Sequence, residues 1–332
     1  SKTMRDHFSS VANALRREFR PKNVLEIGSN DGVFIKNFSK EQATAVEPCS
    51  NFASLTNELG FKTYDEFWTR DLAFKIVEYH GLQDLIFSAN CMCHVQDLDE
   101  AFSAIASCIS PAGIFVFEDP SLLKMIQRVS YDQIYDEHAH IFSITAIRNI
   151  LAKHGMEIFR VEELSVHGGS NRIYSCLAGS RRIEDSVSEH LEVERKEGLG
   201  DLKTYKNFAS RVEQSKNQLL DVLNEMKRLG KKVVSYGATS KSTTVFNYCG
   251  IDNSLIDYIV DTTPDKQGKL SPGAHIPVIS PDEGFNDTID YAFLGAWNYK
   301  QEICDKEKHF LKTGKFITHV PYVRFISGDD SV

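Results

Sequence analysis

The sequence predicts an α/β protein made of two doubly wound units. Short apolar runs alternate with longer runs of helical periodicity along both halves of the chain. This is the pattern of parallel sheets covered by helices. A glycine turn follows the first strand-like run of each half, and a polar, helical stretch at 181–229 separates the halves.

The first half begins with an amphipathic helix from Thr3 to Phe19, which Pro21 stops. The predicted strands that follow are NVLEIG, ATAVEP, DLIFSAN and GIFVFEDP, with helices at Asn51–Leu59, Leu72–His80, Asp99–Ile109 and Thr145–His154. Two further extended runs, MEIFRVEEL and RIYSCLA, are expected to complete the sheet as an antiparallel hairpin.

The second half begins with a helical connector, which Gly198 and Gly200 are expected to break into two helices. The strand-like runs KKVVSYG, SLIDYIVD, DYAFLGAWN and KFITHV then alternate with loops and helices. We place the domain boundary between residues 180 and 181. Residues 1–180 form the first predicted domain, and residues 181–332, with the connector at their start, form the second.

The composition narrows the class of protein. The 332 residues are 42% hydrophobic and 25% charged, as in ordinary globular proteins. The net charge of -8, without a block of Lys or Arg, argues against a nucleic-acid partner. The sequence contains no apolar run of 18 residues, the length that would suggest a membrane span. The seven cysteines form no C-x-x-C pair, so we expect no metal site. Their odd number favours free thiols, and we therefore expect a reducing, cytoplasmic location.

The segment LEIGSNDG, Leu25–Gly32, ends the first strand with a turn. Gly28 allows the backbone to approach a ligand closely, and Gly32 is expected to open a helix whose N-terminus favours a negative group. Glu47 ends the second strand, 19 residues after Gly28, where a carboxylate can accept hydrogen bonds from ribose hydroxyls. We interpret these residues as a nucleoside site, against the alternative of a solvated carboxylate. The dinucleotide fingerprint G-x-G-x-x-G is not matched.

Asn90 follows the strand DLIFSAN, at the sheet edge where ligands of open α/β sheets bind. We expect it to lie close to the ligand. The alternative is that Asn90 caps the next helix. Cys91 and Cys93, which follow it, are expected to fill core space as small apolar side chains.

The segment SVHGGSNR, Ser165–Arg172, lies between two extended runs, and its Gly-Gly pair predicts a hairpin turn. His167, Ser170 and Arg172 make it unusually polar for a plain turn. They are candidates for contact with a polar substrate.

The segment VVSYGATSKSTT, Val233–Thr244, resembles a phosphate-binding junction. A buried strand is followed by Gly237 and by a helix that starts among Ser and Thr, with Lys241 in its first turn. Amides, hydroxyls and one lysine can hold a phosphate or a pyrophosphate. The Walker pattern is not matched, and a well-capped buried helix is the alternative.

The segment VSYDQIYDEHAHIF, Val129–Phe142, concentrates two tyrosines, three carboxylates and two histidines. Groups of this kind act as general acids and bases when they touch a substrate. A solvated, charged loop is the alternative.

Together these segments resemble one family, the S-adenosylmethionine-dependent sugar C-methyltransferases, which methylate carbon in nucleotide-linked keto sugars. The shared segments are LEIGSNDG, AVEP, SANCMCHVQDL, FEDP, YDQIYDEH, VHGGSNR, SYGATSKSTT, VDTTPDKQGKLSPGAHIPV and AWNY, in the family's order over nearly the whole chain. The resemblance implies a Rossmann-like class I methyltransferase domain followed by a second Rossmann-like α/β domain.

The resemblance also implies a division of the ligands between the domains. The first domain would bind S-adenosylmethionine, and the second would bind the nucleotide sugar. The implied cofactor residues are Glu26, Gly28, Asn30, Gly32, Glu47 and Asn90. The implied substrate residues near the pyrophosphate are Tyr236, Gly237, Ser240 and Lys241, with Asn298 as a further candidate beside His167, Ser170 and Arg172.

The resemblance places Tyr135, Glu137 and His138 in the active site. A ketone acidifies the neighbouring C–H, and a base removes that proton to give an enolate, the carbon nucleophile that accepts the methyl group. We expect His138 to be the base, with Glu137 orienting it or sharing its role. Tyr135 is expected to donate to the enolate oxygen. The 4-keto sugar and methylation at C-3 are implied by the resemblance alone.

Two features depart from the family. Its members usually carry a four-cysteine zinc domain before the helix with which this chain starts, and the end of that domain helps to form the substrate site. The 332 residues do not include such a domain. Asp136 stands where the family commonly has histidine.

Two other functions are compatible with parts of the sequence. An NAD-linked oxidoreductase would use Gly28 and Glu47 similarly but lacks the usual third glycine. A non-catalytic nucleotide-sugar binding module would account for the second half, but it leaves the segment YDQIYDEH without a role.

Overall fold

The computed structural model describes residues 2–328, except for the side chain of His167. The chain divides into two compact units. Unit 1 comprises residues 2–121, 139–164 and 170–196, and unit 2 comprises residues 122–138, 165–169 and 197–328. Unit 2 therefore includes residues 122–138 and 165–169 of the first predicted domain, and unit 1 includes residues 181–196 of the second.

Unit 1 is built on a seven-stranded sheet. Its strands are β1 (Val24–Ile27), β2 (Ala43–Val46), β3 (Lys62–Tyr64), β4 (Gln83–Ala89), β5 (Ile109–Pro120), β6 (Met156–Leu164) and β7 (Ser170–Leu177). They are ordered β3-β2-β1-β4-β5-β7-β6. Strands β1 to β5 pair in parallel, and β7 pairs antiparallel with both β5 and β6. The predicted hairpin is confirmed, whereas β3 was not predicted from the sequence.

Unit 2 is built on a six-stranded sheet. Its strands are β8 (Val233–Tyr236), β9 (Ile259–Val260), β10 (Val278–Ile279), β11 (Tyr291–Leu294), β12 (Lys315–Thr318) and β13 (Arg324–Ile326). They are ordered β10-β9-β8-β11-β12-β13, and all pair in parallel except the edge strand β13. The second Rossmann-like sheet predicted from the sequence is thus present, with β10 and β13 as additional strands.

The helices cover these sheets. They are α1 (Lys2–Phe19), α2 (Ser50–Glu58), α3 (Arg70–His80), α4 (Leu98–Cys108), α5 (Leu122–Arg128), α6 (Ile144–Lys153), α7 (Asp185–Lys196), α8 (Leu202–Arg228), α9 (Ser240–Cys249), α10 (Pro281–Gly284) and α11 (Lys300–Lys306). The five helices of the first half whose bounds were predicted, now α1, α2, α3, α4 and α6, are confirmed within two residues, whereas α5 and α10 were not predicted. The connector is broken between α7 and α8, as Gly198 and Gly200 predicted. Among the described residues, no helix is long and apolar enough to cross a membrane.

The core of unit 1 lies on both faces of its sheet. Phe115 and Phe117 point into one apolar layer, while Ile114 and Val116 point into the other. All four are fully buried. A strand covered on both faces reads as a continuous apolar run, which explains why GIFVFEDP was recognised as a buried strand.

Specific side-chain contacts explain which unit each of these segments belongs to. Helix α7 stays with unit 1 because the Glu194 carboxylate accepts hydrogen bonds from the amides of Ile144 (2.6 Å) and Thr145 (2.9 Å), at the start of α6. Conversely, Val129 and Tyr131 belong to the apolar core of unit 2. These contacts join residues far apart in sequence, so they were not visible as a composition change near residue 180.

One predicted element is wrong. Gly32 was expected to open a helix, but only a short 3-10 turn, Ile35–Asn37, follows. The Asn37 side-chain amide donates to the carbonyls of Val33 (3.0 Å) and Phe34 (2.8 Å), and the chain then becomes extended at Phe38. This side chain competes for backbone acceptors and ends the turn. The expected helix N-terminus is therefore not part of the first loop.

Candidate active site

The loop after β1 is shaped by a glycine. Gly28 has a φ of +75°, a left-handed conformation that favours glycine. A Cβ at this position would lie 2.7 Å from Cys91 Sγ. Gly28 therefore permits the turn, and its lack of a side chain lets the loop after β4 approach closely.

Glu47, directly after β2, ties down this loop. Its Oε2 accepts a hydrogen bond from the amide of Asn30 (2.7 Å), and its Oε1 accepts one from the amide of Cys49 (2.8 Å). Asn30 itself has a left-handed φ of +47°. Each carboxylate oxygen can accept a second hydrogen bond. Glu47 is thus fixed in place and retains acceptor capacity for two hydroxyl groups.

Glu26 is enclosed within unit 1. Its Oε2 accepts a hydrogen bond from the amide of Ile35 (3.0 Å), at the start of the 3-10 turn. Burial raises the pKa of Glu26 well above its usual range, against the effect of that hydrogen bond. The carboxyl group holds the end of the loop in place. Its predicted contact with a cofactor stays a prediction.

The loop after β4 begins with Asn90. Its φ is +50°, and its amide donates to the carbonyl of Glu118 (2.7 Å). The next α-helix is capped by Asp97, whose side chain accepts from the amide of Glu100, so the alternative of Asn90 as its cap is wrong. Cys93 is fully buried, and burial raises the pKa of the partly buried Cys91 to about 12. The prediction that these thiols fill core space fits their positions, with Cys93 in the apolar core of unit 1 and Cys91 packed against it.

The polar groups of unit 1 fit S-adenosylmethionine, the cofactor implied by the family resemblance. Glu47 offers acceptors of the kind that ribose hydroxyls need. The Ser29 hydroxyl, in the same loop, is buried and has no hydrogen-bond partner among the residues described in the structure. A polar ligand in this loop would therefore meet a fixed carboxylate and an unsatisfied hydroxyl.

Unit 2 contains a cavity of about 570 Å³. Its walls come from the segment before residue 138, the loop after β8, the first turns of α9 and the Gly- and Pro-rich loop before β10. The lining residues are Tyr135, Asp136, Glu137, Ala238, Thr239, Ser240, Thr243, Thr244, Asn247, Lys266, Lys269, Leu270, Ser271, Pro272 and Val278. We name this space the nucleotide cavity, after the ligand predicted for this half of the sequence. Its volume lies within the usual range for small-molecule sites.

The start of α9 is held by a capping box. The Thr239 side chain accepts from the amide of Ser242, and the Ser242 hydroxyl accepts from the amide of Thr239, both at 3.0 Å. Ser240, the first residue of α9, lines the cavity. The well-capped helix and the anion site were alternatives from the sequence, but a capped N-terminus still presents positive dipole to a ligand.

Asp261, after β9, organises the same loop. Its Oδ2 accepts from the amide of Ala238 (2.7 Å), and its Oδ1 accepts from the amide of Thr263 (2.8 Å). Lys266 donates from Nζ to the carbonyl of Ala238 (2.8 Å). Lys266 and Lys269 both line the cavity. The sequence prediction missed these three residues, although they lie in the segment VDTTPDKQGKLSPG, and an acid directly after a second strand is itself a signal.

The segment 131–138 forms a hydrogen-bonded chain. His138 Nδ1 lies 2.8 Å from the carbonyl oxygen of Gln133, which can only accept. In the neutral ring Nδ1 therefore carries the proton, and Nε2 accepts from the hydroxyl of Tyr135 (2.8 Å). Tyr135 and Glu137 line the nucleotide cavity, whereas His138 is not among its described lining residues. The structure thus places a proton acceptor one hydrogen bond behind a cavity-facing phenol.

This segment is anchored inside unit 2 by Asp132. Its Oδ2 accepts from Trp297 Nε1 (2.6 Å), and its Oδ1 lies 3.6 Å from His319 Nε2. Burial alone would raise the pKa of Asp132, but the His319 ring outweighs it and lowers that pKa below its usual value. Asp132, Trp297 and His319 were not predicted as site residues. They are separated by up to 187 positions along the chain (319 minus 132), so no local pattern links them.

The other residues predicted in the second half take different positions. The Lys241 ammonium lies 5.7 Å from the centroid of the Tyr135 ring. Gly237 has a φ of +97° and makes the turn after β8. The Tyr236 hydroxyl donates to Glu307 Oε1 (2.6 Å). Asn298 follows Trp297 in a short 3-10 helix. Of the described lining residues of the nucleotide cavity, only Ser240 comes from this predicted set.

The residues predicted in the segment SVHGGSNR lie partly in each unit. The side chain of His167 is outside the described part of the structure. Ser170 begins β7 and is buried. Arg172 pairs through Nε with Glu118 (2.7 Å) and through Nη1 with Glu162 (2.8 Å). These ion pairs give Arg172 a structural role in unit 1, and contact with substrate stays a prediction for all three residues.

Comparison with known proteins identifies both parts of the chain. Residues 3–161 match the family described as a methyltransferase domain, and residues 165–321 match the C-methyltransferase C-terminal domain. The C-methyltransferase NovU of Streptomyces niveus is 33% identical over 313 residues, which cover 93% of this chain and 74% of NovU.

Solved structures resemble this chain more distantly. An O-methyltransferase of a Brevibacillus brevis multienzyme, bound to S-adenosyl-L-homocysteine, is 14% identical and covers 54% of this chain and 75% of its own, with a TM-score of 0.42. The CcbJ methyltransferase of Streptomyces caelestis is 11% identical and covers 52% of this chain and 90% of its own, with a TM-score of 0.41. At that distance neither structure bears on the substrate. The identity with NovU along almost the whole chain, together with the two domain matches, shows that the protein belongs to the S-adenosylmethionine-dependent C-methyltransferases.

Proposed function

We propose that this C-methyltransferase methylates the carbon next to the ketone of a nucleotide-linked keto sugar, through an enolate. The 4-keto deoxysugar, methylated at C-3, is the proposed substrate class. The observation that carries this proposal is the nucleotide cavity itself. It combines a helix N-terminus, hydroxyls and lysines with Tyr135, whose hydroxyl bonds to His138 behind the cavity wall.

The cavity suits the nucleotide part of such a substrate. Thr239 and Ser240 contribute hydroxyls at the start of α9, and Lys266 and Lys269 contribute positive charge. Amides and dipole at a helix N-terminus stabilise phosphate oxygens, and lysines add Coulombic attraction. The apolar walls from Leu270 and Pro272 suit a base or a sugar ring. The proposed substrate contacts of Tyr236, Gly237, Lys241 and Asn298 would lie next to this site.

The proton chemistry is assigned to Tyr135, Glu137 and His138. The proton leaves the carbon beside the ketone and is finally held at His138 Nε2, while the Gln133 carbonyl stabilises the resulting cation through Nδ1–H. Since the Tyr135 hydroxyl bonds to Nε2, it can relay the proton or donate to the enolate oxygen. Glu137, which lines the cavity and precedes His138 in the chain, would favour the charged imidazolium.

The cofactor is assigned to unit 1. S-adenosylmethionine supplies an electrophilic methyl group on a sulfonium. Glu47 and Asn30 would bind its ribose, and the left-handed glycines Gly28 and Gly32 would allow close approach of the backbone. Glu26 and Asn90, which hold the ends of these loops, complete the cofactor set predicted from the sequence.

The direct test is transfer of a labelled methyl group. The protein is incubated with S-adenosylmethionine labelled in the methyl carbon and with a nucleotide-linked 4-keto deoxysugar, and the product is analysed by NMR. The proposal expects the label on a carbon bonded to the carbonyl carbon. Transfer to oxygen or nitrogen of the same sugar, or transfer only to ketones without a nucleotide, would contradict it.

A further inference from the structure

A second cavity lies at the carboxyl ends of β11 and β12, the edge where open α/β sheets bind ligands. Its volume is about 180 Å³. The lining residues are Arg128, Leu294, Trp297, Lys300, Thr318, Val320, Pro321, Arg324 and Ile326. We name it the basic cavity. It lies wholly within unit 2 and shares no lining residue with the nucleotide cavity.

The charge of the basic cavity is one-sided. Arg128, Lys300 and Arg324 are all half-buried, and the described lining contains no Asp or Glu. The chain as a whole carries a net charge of -8. Three cations that converge in a partly desolvated space repel one another unless an anion lies among them. The cavity is therefore suited to a negatively charged ligand.

Arg324 supplies an unsatisfied donor. Its Nε is buried and has no hydrogen-bond acceptor among the described residues. The guanidinium carbon lies 5.5 Å from the centroid of the Tyr322 ring, which supports its position. A buried charged donor without an acceptor is costly. An oxyanion in the cavity would remove this cost and could accept from two nitrogens of the same guanidinium.

The walls of the cavity are held in place. Trp297 is fixed through its Nε1–H, which donates to the buried carboxylate of Asp132. A Cβ on Gly168 would collide with the Trp297 ring, so this turn is in close contact with the indole. The Gly168 carbonyl also accepts from Arg128 Nη1 (2.6 Å). The Gly-Gly turn of SVHGGSNR thus orients Trp297 and Arg128, two walls of the cavity. Close packing against Trp297 explains why residue 168 is a glycine.

The Asp132 carboxylate bonds to Trp297, and it does not line the cavity. It is engaged by the indole N–H and lies beside His319. It therefore fixes the position of the indole from outside the cavity lining.

We propose that the basic cavity binds a phosphoryl oxyanion. Its volume is below the usual range for drug-sized ligands and suits one phosphate group. Arg324 and Arg128 present guanidinium donors, and the Thr318 hydroxyl lies on the same wall. The phosphoryl group is either free inorganic phosphate or a phosphate carried by a nucleotide. The site is additional to the proposed function and does not depend on which sugar is methylated.

The test is titration of the full chain with inorganic phosphate by calorimetry at low ionic strength. Arg324→Gln should weaken phosphate binding by about tenfold or more, because a charge-assisted hydrogen bond is lost. Arg228→Gln is the matched control, since Arg228 is exposed on α8 and pairs only locally with Glu225. Lys300→Gln, with the exposed Lys312→Gln as its control, is a second test of phosphate binding. It does not depend on how β13, which contains Arg324, tolerates substitution.

Two arms distinguish the sources of the phosphoryl group. A nucleoside diphosphate is titrated into the wild type and into Arg324→Gln, with and without saturating phosphate. If the phosphoryl group belongs to a nucleotide, phosphate competes and Arg324→Gln weakens both ligands. If it is free phosphate, the nucleotide binds equally well to both proteins. Absence of phosphate binding, or equal phosphate binding by Arg324→Gln and Arg228→Gln, would overturn the proposal.

Discussion

The two units hold their first loops in the same way. In unit 1 the strand order is β3-β2-β1-β4-β5, and Glu47 after β2 accepts from the amide of Asn30 at 2.7 Å. In unit 2 the corresponding order is β10-β9-β8-β11-β12, and Asp261 after β9 accepts from the amide of Ala238, also at 2.7 Å. In both cases a carboxylate ties the loop after the first strand to the end of the neighbouring strand.

The units differ in what surrounds that carboxylate. In unit 2 Lys266 lies 3.8 Å from Asp261, and α9 begins directly after the loop. In unit 1 a three-residue 3-10 turn replaces the helix, and Glu47 has no ion pair among the described residues. One scaffold thus presents acceptors in unit 1 and donors with positive charge in unit 2. This difference supports the proposed division of ligands, with a cationic sulfonium cofactor in the first unit and an anionic nucleotide in the second.

The largest effect is expected from removing the proposed base in unit 2. His138→Asn should lower kcat by about 10²–10⁴-fold, because asparagine cannot take the proton. Binding of S-adenosylmethionine, measured by calorimetry, should not change. Single-turnover methyl transfer checks the rate, with the exposed His309→Asn as control. Near-normal turnover would place the base elsewhere.

A companion variant separates relay from direct transfer. If Tyr135 carries the proton to His138, Tyr135→Phe should lose as much activity as His138→Asn. If His138 acts directly, Tyr135→Phe should lose less activity than His138→Asn does. Exchange of the acidic hydrogen in deuterated water, followed by NMR, gives a readout of proton removal that is separate from methyl transfer.

The next effect contrasts two buried acids. Burial raises the pKa of Asp119 in unit 1 to about 7, whereas His319 lowers that of Asp132 in unit 2. Since the unfolded pKa of an aspartate is about 3.9, folding favours protonated Asp119. Its contribution to stability is present at low pH and is lost as pH rises from about 4 to 7. Asp119→Asn should therefore raise the free energy of unfolding at pH 8 by up to about 4 kcal/mol.

The sign for Asp132 is opposite. Its ionised form is favoured by folding, so its contribution is present above the unfolded pKa and is lost as pH falls through the lowered folded value. Asp132→Asn leaves His319 without its partner and should cost about 3–5 kcal/mol at neutral pH. Urea unfolding followed by the fluorescence of Trp68 in unit 1 and Trp297 in unit 2 checks both variants. If the free energy of unfolding changes with pH equally in the wild type and in Asp119→Asn, the contrast between Asp119 and Asp132 is wrong.

A smaller effect tests the division of ligands. Glu47→Gln should weaken S-adenosylmethionine binding by about 1–3 kcal/mol, because a charge-assisted acceptor is lost. Nucleotide affinity should stay the same. Asp261→Asn is the matched control in unit 2 and should leave cofactor affinity unchanged. If both variants weaken the cofactor equally, the assignment of one ligand to each unit is wrong.

The smallest effect concerns Lys241, which lies over the Tyr135 ring. A cation–π contact of this kind contributes about 0.5–1 kcal/mol. Lys241→Gln should therefore raise the KM for the nucleotide sugar by a few fold and leave cofactor affinity unaltered. Lys312→Gln, on the exposed surface, serves as control. Equal changes in both affinities would count against a separate nucleotide site in unit 2.

Local patterns in the sequence were enough to predict the two sheets. These patterns include the apolar run GIFVFEDP, the two hairpin runs and the glycines at 198 and 200. Each of them depends on interactions between residues that are close in sequence. The same holds for the position of Glu47 directly after a strand. The family relationship sets aside the two other functions left open by the sequence, an NAD-linked oxidoreductase and a binding module without activity.

Only the tertiary structure shows which distant residues meet. The strand order brings His319 to Asp132, the turn at Gly168 to Trp297, and Lys266 to the loop after β8. It also assigns residues 122–138 to unit 2, although they lie in the first half of the sequence. Periodicity and capping depend on residues within a few positions, whereas these contacts depend on how crossovers order the strands. The sequence therefore determined the elements and the acid of the first loop, and the fold decided which charges lie together around each loop.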